Sequence, residues 1–115
     1  MVNAEKYTPQ RGDIVWLDFQ PQTGREQAGR RPSVVLSNGN YNKVVGLAIF
    51  CPITSKVKGY PFEVALPANF PISGVVLVDQ IKSLDWKNRK AEFIGKLDFM
   101  TMEVISRLLG KVLEI

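Results

Sequence analysis

The sequence predicts a small, mainly β protein in which short strands form a barrel and one C-terminal helix packs across it. Three observations lead to this class. Short apolar runs, separated by Gly, Pro and polar residues, fill the first two-thirds of the chain. The apolar spacing becomes helical only after Asp98. The 115 residues, 45% of them hydrophobic, are enough for one domain over 1–115 that folds without a disulfide or a metal.

Six runs are predicted to be strands because each is rich in β-forming residues and is bounded by glycine, proline or a polar turn. They cover residues 13–19, 33–37, 46–53, 61–66, 74–80 and 91–97. In the fourth run Phe62, Val64 and Leu66 alternate with polar or small residues, which predicts one buried face. Residues 81–89 fit a short strand followed by a turn.

The C-terminal segment predicts an amphipathic helix that begins at Phe99. Asp98 is suited to be its N-cap, and Leu97 precedes it as the apolar residue of a hydrophobic staple. The apolar stripe expected to face the barrel consists of Val104, Ile105, Leu108, Leu109 and Val112.

The composition favours an anionic partner and excludes several enzyme classes. Lys and Arg total 15 against 11 acidic residues, a net charge of +4 that suits nucleic acid or an acidic protein segment. The chain has no histidine and a single cysteine, which excludes Ser-His-Asp and Cys-His catalysis and zinc sites. No GxGxxG or GxxxxGK[ST] motif occurs and the carboxylates are scattered. We therefore expect no cofactor and no metal.

We expect a soluble, cytoplasmic protein. The first residues, MVNAEKYTPQ, lack the apolar core of a signal peptide. The longest apolar run, VVGLAIFCPI, is about half of the roughly 20 residues that a membrane span needs. Cys51, alone and flanked by apolar residues, fits a reducing compartment and a place in the core.

The loop TGREQAGRRP, residues 23–32, is the first of three polar segments next to predicted strands. Arg31 directly precedes Pro32, and a residue before proline is held extended. Its guanidinium is therefore expected at the junction of a loop and a strand, a suitable place to meet a phosphate. The alternative is an ordinary solvated basic loop.

Two further segments, residues 52–61 and 78–83, offer hydroxyls, cations and an aromatic ring at strand ends. The first contains Thr54, Ser55, Lys56, Lys58 and Tyr60, and the second contains Asp79, Gln80 and Lys82. Each alone fits an ordinary hairpin connection. The three polar segments would form a site only if they converge on one face of the barrel.

Three motifs in order carry a family resemblance: GDIVWLDFQPQTGREQAGRRPSVVLS, CPITSKVKGYPFEV and GVVLVDQIKSLDW. From about Arg11 to the end of the helix, the chain resembles the MazF/PemK (Kid) family of toxin endoribonucleases. The resemblance implies an SH3-like barrel, shared with the gyrase-poisoning CcdB toxins, that is usually a homodimer. It also implies metal-independent cleavage of single-stranded RNA to a 2′,3′-cyclic phosphate and a 5′-hydroxyl, and neutralisation by an antitoxin with an acidic, disordered tail.

The same resemblance assigns roles to residues. Arg31 and Thr54 match the catalytic pair, and Glu26, next to Gln27, matches a loop that lies over the active site. Asp79 matches a base proposed in the Kid-like branch, but Leu77 replaces an arginine of that branch, and Arg30 stands where a histidine is frequent. Glu26 and Asp79 are the two candidates to accept the 2′-hydroxyl proton. The expected RNA-binding residues are Gln27, Arg30, Ser55, Lys56, Lys58, Gln80 and Lys82.

The aromatic side chains are predicted to fall into two groups. Tyr41, Tyr60 and Trp86 are candidates to stack on RNA bases, whereas Trp16 and Phe19 on the first strand are expected in the core. Two other functions stay open: a gyrase-binding poison of the CcdB type, and an inert SH3-like binding module or antitoxin-bound remnant. Arg31 together with Thr54 favours the nuclease, because a gyrase binder has no need of them.

Overall fold

A computed structural model describes residues 7–19 and 29–115 of the chain, and within these ranges it contains seven strands and two helices. In chain order they are β1 (Asp13–Asp18), β2 (Arg30–Val35), α1 (Gly39–Val45), β3 (Ala48–Thr54), β4 (Glu63–Ala65), β5 (Val75–Leu77), β6 (Lys82–Leu84), β7 (Glu92–Lys96) and α2 (Phe99–Leu113). Each predicted strand overlaps an observed one, and β6 is the short strand expected within 81–89.

The sheet is antiparallel throughout and follows the order β4-β5-β3-β2-β1-β7. β3 is its central strand, because β2 pairs along one side of it while β6 and β5 share the other side. β6 pairs with Ala48 to Phe50, and β5 pairs with Ile53 and Thr54. The mainly β class with a C-terminal helix is confirmed. The path of the described strands stays open between β4 and β7.

Helix α1 was not predicted from the sequence. Asn38 caps this helix, since its side chain accepts a hydrogen bond of 2.8 Å from the N–H of Tyr41. Gly46 ends it in the left-handed conformation with φ 84°. Val44 and Val45 begin the longest apolar run of the sequence, but Val44 is 81% exposed. A seven-residue helix is too short for its periodicity to outweigh two β-branched residues.

The second helix begins as predicted. The Asp98 carboxylate accepts hydrogen bonds from the hydroxyl and the N–H of Thr101, at 2.6 and 3.0 Å. The same two bonds lower the pKa of Asp98. The buried stripe differs from the prediction, because α2 buries Met102 and Ile105 while Val104 is 47% exposed. Val112 at the end of the helix is also exposed, at 41%.

Two apolar clusters occupy the two faces of the sheet. Ile14 of β1 joins the cluster covered by α2, which also holds Cys51, as expected for a small core residue. Val15 and Leu17 of the same strand join the other cluster, which contains Phe50 and Trp86. Alternate residues of a strand point to opposite faces, which explains this division. Among the described residues, no helix is long and apolar enough to cross a membrane.

Trp86 is buried in the second cluster and was wrongly predicted to stack on RNA. Only 7% of it is exposed, and its indole N–H donates a hydrogen bond of 3.1 Å to the carbonyl of Asn42 in α1. A buried indole usually finds such a partner for its polar end. Phe19 packs against the same cluster, in agreement with the core prediction.

Candidate active site

The pairing of β2 with β3 brings Arg31 and Thr54 together. In the observed register Val34 lies opposite Cys51 and Ser33 lies opposite Pro52. Continuing that register by two residues places Arg31 opposite Thr54. Directly opposed residues of antiparallel strands have Cα atoms about 4.5–5.5 Å apart. Two strand ends that are 23 positions apart in sequence therefore meet at one edge of the sheet.

Arg31 and Thr54 line one open cleft of about 440 Å³, here called the arginine cleft. Its lining residues are Trp16, Arg31, Pro32, Ile53, Thr54, Ser55, Lys56, Ile72 and Ser73. The volume lies in the range of roughly 300–1,000 Å³ that is typical of ligand sites. Arg31 is exposed and Thr54 is half-buried. The cleft therefore combines apolar surface with two cations and hydroxyls, a composition suited to a phosphate with an attached ring.

Trp16 is a lining residue that the sequence analysis assigned to the core. It is partly exposed and lies opposite Pro32 in the β1–β2 register. Its neighbours Val15 and Leu17 are fully buried on the other face. The alternation of β1 was the signal that separates Trp16 from its buried neighbours.

The hydroxyl of Thr54 is oriented by the backbone that follows it. The N–H of Lys56 donates a hydrogen bond of 3.1 Å to Thr54 Oγ1. A hydroxyl has one proton to donate besides its acceptor lone pairs. Because Lys56 occupies an acceptor position, the geometry leaves the hydroxyl proton available to a group in the cleft.

Gly74, immediately before β5, allows the close packing behind Thr54. Its φ is +138°, and a Cβ atom built on it would lie 2.4 Å from the carbonyl oxygen of Thr54. No side chain fits at that distance without moving the backbone of Thr54 and Ser55. Glycine at this position therefore helps to determine where the Thr54 hydroxyl lies.

A second depression, here called the tyrosine cleft, adjoins the first and has a volume of about 170 Å³. It is lined by Thr54, Lys56, Lys58, Tyr60, Glu63, Leu77 and Gln80, so that Thr54 and Lys56 belong to both clefts. Tyr60 is 48% exposed. The two clefts form one continuous surface around Thr54 that offers a ring, an amide and two ammonium groups.

Comparison with known proteins identifies the family. The family described as PemK-like, MazF-like toxin of type II toxin-antitoxin system matches residues 10–113. This chain belongs to that family. The match includes every described strand and both helices.

Relatives of the PemK/MazF family are similar over most of this chain. The endoribonuclease toxin MazF of Escherichia coli K12 is 49% identical over 88 residues, which cover 76% of this chain and 78% of that protein. The endoribonuclease EndoA of Bacillus subtilis 168 is 33% identical over 104 residues, covering 86% and 89%. A crystal structure of MazE-MazF from Deinococcus radiodurans superposes with a TM-score of 0.92 at 49% identity, covering 96% of this chain and 99% of that one.

Not every residue that the PemK/MazF resemblance suggested lies at the clefts. Arg30 contacts Asp18 at 2.6 Å and Glu92 at 3.2 Å, and donates a hydrogen bond of 2.8 Å to the carbonyl of Lys90. Alternation along β2 directs its side chain to the face opposite that of Arg31. Arg30 is thus engaged in a partly exposed ion-pair network on the β7 side of the sheet.

Asp79 and Lys82 are not among the residues that line the clefts. Asp79 is exposed. Burial, and then the charge of Asp79, raise the pKa of the Cys51 thiol to about 12. Lys82 pairs with Phe50, four residues before Thr54 in β3, or about 13 Å along the strand.

Ser55, Lys56, Lys58, Gln80 and Tyr60 do line the clefts around Thr54. Tyr41 is exposed on α1 and lines neither of them. Glu26 and Gln27 lie outside the described residues. Glu63 and Leu77 were not predicted as site residues, although the alternation of residues 61–66 already directed Glu63 away from the core.

Proposed function

We propose that this chain is an endoribonuclease toxin that cleaves single-stranded RNA in the arginine cleft. The observation that carries the proposal is that Arg31 and Thr54, on the paired strands β2 and β3, line one open cleft. Family membership and the names of the relatives, MazF and EndoA endoribonucleases, support RNA as the substrate. The same relatives favour the nuclease over the gyrase poison. No observation on the described residues supports the gyrase poison.

The proposed reaction is an attack by the substrate's own 2′-hydroxyl. Its oxygen forms a bond to the neighbouring phosphorus, the bond from phosphorus to the 5′-oxygen breaks, and the products carry a 2′,3′-cyclic phosphate and a 5′-hydroxyl. This chemistry needs no nucleophile from the protein and can proceed without a metal. What it needs is in-line positioning, stabilisation of charge on the phosphoryl oxygens, and transfer of two protons.

Arg31 and Thr54 supply the charge stabilisation. A guanidinium presents forked N–H donors that match two phosphoryl oxygens and stays charged at any working pH. The Thr54 hydroxyl, oriented by the N–H of Lys56, donates to the same phosphate. Arg31 also hydrogen-bonds the departing 5′-oxygen. The protons themselves must move between a carboxylate, solvent and the two sugar oxygens.

We assign the base to Glu26 rather than Asp79. Glu63 is the one described carboxylate that lines either cleft, and its oxygens already accept hydrogen bonds from the N–H groups of Lys58 and Gly59. Asp79 lines neither cleft. Glu26 precedes Arg31 by only five residues in the sequence. A base must come within hydrogen-bond reach of the proton that it removes.

RNA is proposed to continue from the arginine cleft into the tyrosine cleft. Lys56 and Lys58 would contact phosphates, and the exposed ring of Tyr60 and the partly exposed ring of Trp16 are available to bases. Ser55 and Gln80 add hydrogen-bonding groups on either side of Thr54. Single strands are typically bound in this way, by stacking together with a cationic groove.

The partners proposed are a cognate antitoxin and a second copy of the chain. A structural neighbour that is 49% identical was solved as a MazE-MazF complex, which supports an antitoxin for this toxin. The net charge of +4 suits an acidic, disordered antitoxin segment that folds on binding. Sedimentation of the purified toxin at micromolar concentration should give the mass of a homodimer.

One assay tests the activity and its alternatives. Purified protein is incubated with a long RNA in EDTA, and the fragment ends are analysed. Discrete fragments with 2′,3′-cyclic phosphate and 5′-hydroxyl ends are expected. Intact RNA would overturn the proposal. Intact RNA together with inhibited gyrase supercoiling would favour the CcdB-type poison, and neither effect would favour an inert module.

A further inference from the structure

We infer that Glu63 is a positioning residue that fixes the shape of the RNA-binding loop 55–62 through hydrogen bonds to its backbone. This inference rests on the proposed function. The loop connects β3 to β4 and carries Lys56, Lys58 and Tyr60 into the tyrosine cleft. Residues 55–61 are all exposed, so packing does little to order them. A loop of this kind needs hydrogen bonds to its backbone if it is to hold cations and a ring in place.

The Glu63 carboxylate makes such bonds at the middle of the loop. Its Oε2 accepts from the N–H of Lys58 and its Oε1 accepts from the N–H of Gly59, both at 3.0 Å. Three other hydrogen bonds of the described loop lie toward its ends: Lys56 N–H to Thr54 Oγ1, Glu63 N–H to the carbonyl of Tyr60, and Val78 N–H to the carbonyl of Phe62. Successive backbone N–H groups form a natural anion site, and here the protein's own carboxylate fills it.

Glu63 is itself held rigidly. It is the first residue of β4 and lies opposite Leu77 of β5 in the sheet. The next residue, Val64, is buried in the core cluster. The carboxylate thus ties the centre of the loop to the sheet. Both of its oxygens accept hydrogen bonds from backbone N–H groups, so neither is directed at RNA.

Charge and position predict opposite effects for the isosteric substitution Glu63→Gln. If Glu63 acted only through its charge, its neutralisation beside Lys56 and Lys58 would favour RNA phosphates and lower KM. If Glu63 acts by positioning the loop, Gln at this position has only one acceptor oxygen in place of two. Its NH₂ group then faces a backbone N–H, and the loop is released. We expect KM for a short RNA to rise about tenfold, the effect of losing about one charge-assisted hydrogen bond.

The effect should fall on KM rather than kcat. Thr54 lies in β3, paired with Val75 of β5, and Lys56 orients its hydroxyl, so the reacting groups stay in place when the middle of the loop is released. We expect kcat to stay within about twofold of wild type. The lost contacts bind the RNA equally in the ground state and the transition state, so their loss changes KM and not kcat. Glu63→Asp keeps the charge but is one methylene shorter, and it should raise KM in the same direction.

The experiment measures cleavage kinetics and amide hydrogen exchange on the same full-length variants. Glu103→Gln, an equal charge change on the exposed side of α2, is the control and should match wild type. Faster exchange of the Lys58 and Gly59 N–H groups in Glu63→Gln, with a higher KM in both Glu63 variants, supports the inference. An unchanged or lower KM, or unchanged exchange, overturns it. The proposed function is tested separately, by the wild-type protein: it would be overturned if wild type did not cut RNA. The Glu63 variants test only the inference about the loop.

Discussion

Polar side chains near the two ends of β3 differ in burial and in how many of their hydrogen bonds are made. Near its start, Asn42 of α1 is completely buried, and its amide donates to the carbonyls of Pro9 and Ser37 at 2.8 and 3.1 Å. Its side-chain oxygen accepts the hydroxyl proton of Ser37 at 2.6 Å. Near its end, Thr54 borders two open clefts and its hydroxyl proton remains available.

The difference separates groups that hold the fold from groups that are available to a ligand. A buried amide with all its bonds made cannot be removed without leaving unpaired partners in the interior, and it has nothing left to offer a substrate. A half-exposed hydroxyl beside a cation contributes little to stability but retains a donor. Substitutions at the start of β3 should therefore change stability, and those at its end should change activity.

The largest effect is expected for Arg31→Ala. Loss of the guanidinium removes donors to the charged transition state, which costs about 3–4 kcal/mol of barrier and lowers kcat by roughly 10²–10³-fold. Arg31 is exposed, so the melting temperature should hardly change. Arg31→Lys keeps the charge without the fork and should recover only part of the rate.

Arg107→Ala, an exposed arginine on α2, is the control for Arg31 and should leave both rate and stability as they are. Single-turnover cleavage and thermal melting measure the two quantities. An Arg31→Ala protein that cuts at the wild-type rate would remove the central step of the mechanism.

The opposite outcome is expected at the start of β3. Asn42→Leu preserves volume but leaves the carbonyl of Pro9 and two groups of Ser37 without their partner. We expect a loss of about 3 kcal/mol in the free energy of unfolding, since each buried unpaired group costs roughly 1–3 kcal/mol. The exposed Asn40→Leu in the same helix is the matched control and should cost little.

Urea unfolding measures the stability of both asparagine variants. The cleavage rate of folded Asn42→Leu should stay near wild type under conditions where the protein remains native. If it fell as far as that of Arg31→Ala, the proposed division between the two ends of β3 would be wrong.

The sequence predicted the strands well because their signals are local. Residues 13–19 and 91–97 have β-forming side chains between turn residues, and both correspond to observed strands. Helix α1 was not predicted because it spans only seven residues and ends in two valines. That omission also explains the error at Trp86, whose N–H partner is the carbonyl of Asn42 in the unseen helix.

The site was predicted only in part because it depends on register. The residue types and the family resemblance pointed to Arg31 and Thr54, but their opposition follows from the pairing of Val34 with Cys51. No local pattern specifies that pairing, since it is determined by which side chains the whole sheet buries. The same sheet places Lys82 opposite Phe50, away from Thr54, although its segment has suitable residue types.

An intermediate effect is expected where the backbone alone supports Thr54. Gly74→Ala places a methyl group against the carbonyl of Thr54 and should shift the hydroxyl by a few tenths of an ångström or more. We expect kcat to fall about tenfold, because misplaced catalytic groups lose rate steeply. Gly46→Ala is the control: its φ is also positive, at 84°, but nothing lies within 4 Å of the added methyl.

Gly46→Ala should lose roughly 1–2 kcal/mol of stability from the left-handed backbone. Gly74→Ala should lose more, because its methyl group also meets the carbonyl of Thr54, and only this variant should lose activity. Cleavage rates together with urea unfolding test this. Equal activity in the two variants would mean that the position of Thr54 tolerates such a shift.

The smallest effect concerns the N-cap of α2, which belongs to neither end of β3. The hydrogen bonds from Thr101 lower the pKa of Asp98 below its ordinary value of 3.8. The folded state therefore holds the carboxylate ionised at a pH where the unfolded chain would protonate it. This contribution to stability is fully present above about pH 4 and disappears as the pH falls through the lowered pKa. Asp98→Ala should lower the melting temperature slightly at pH 7, and the difference from wild type should shrink toward pH 3. A difference that stays constant over that range would show that the ionised carboxylate is not what caps the helix.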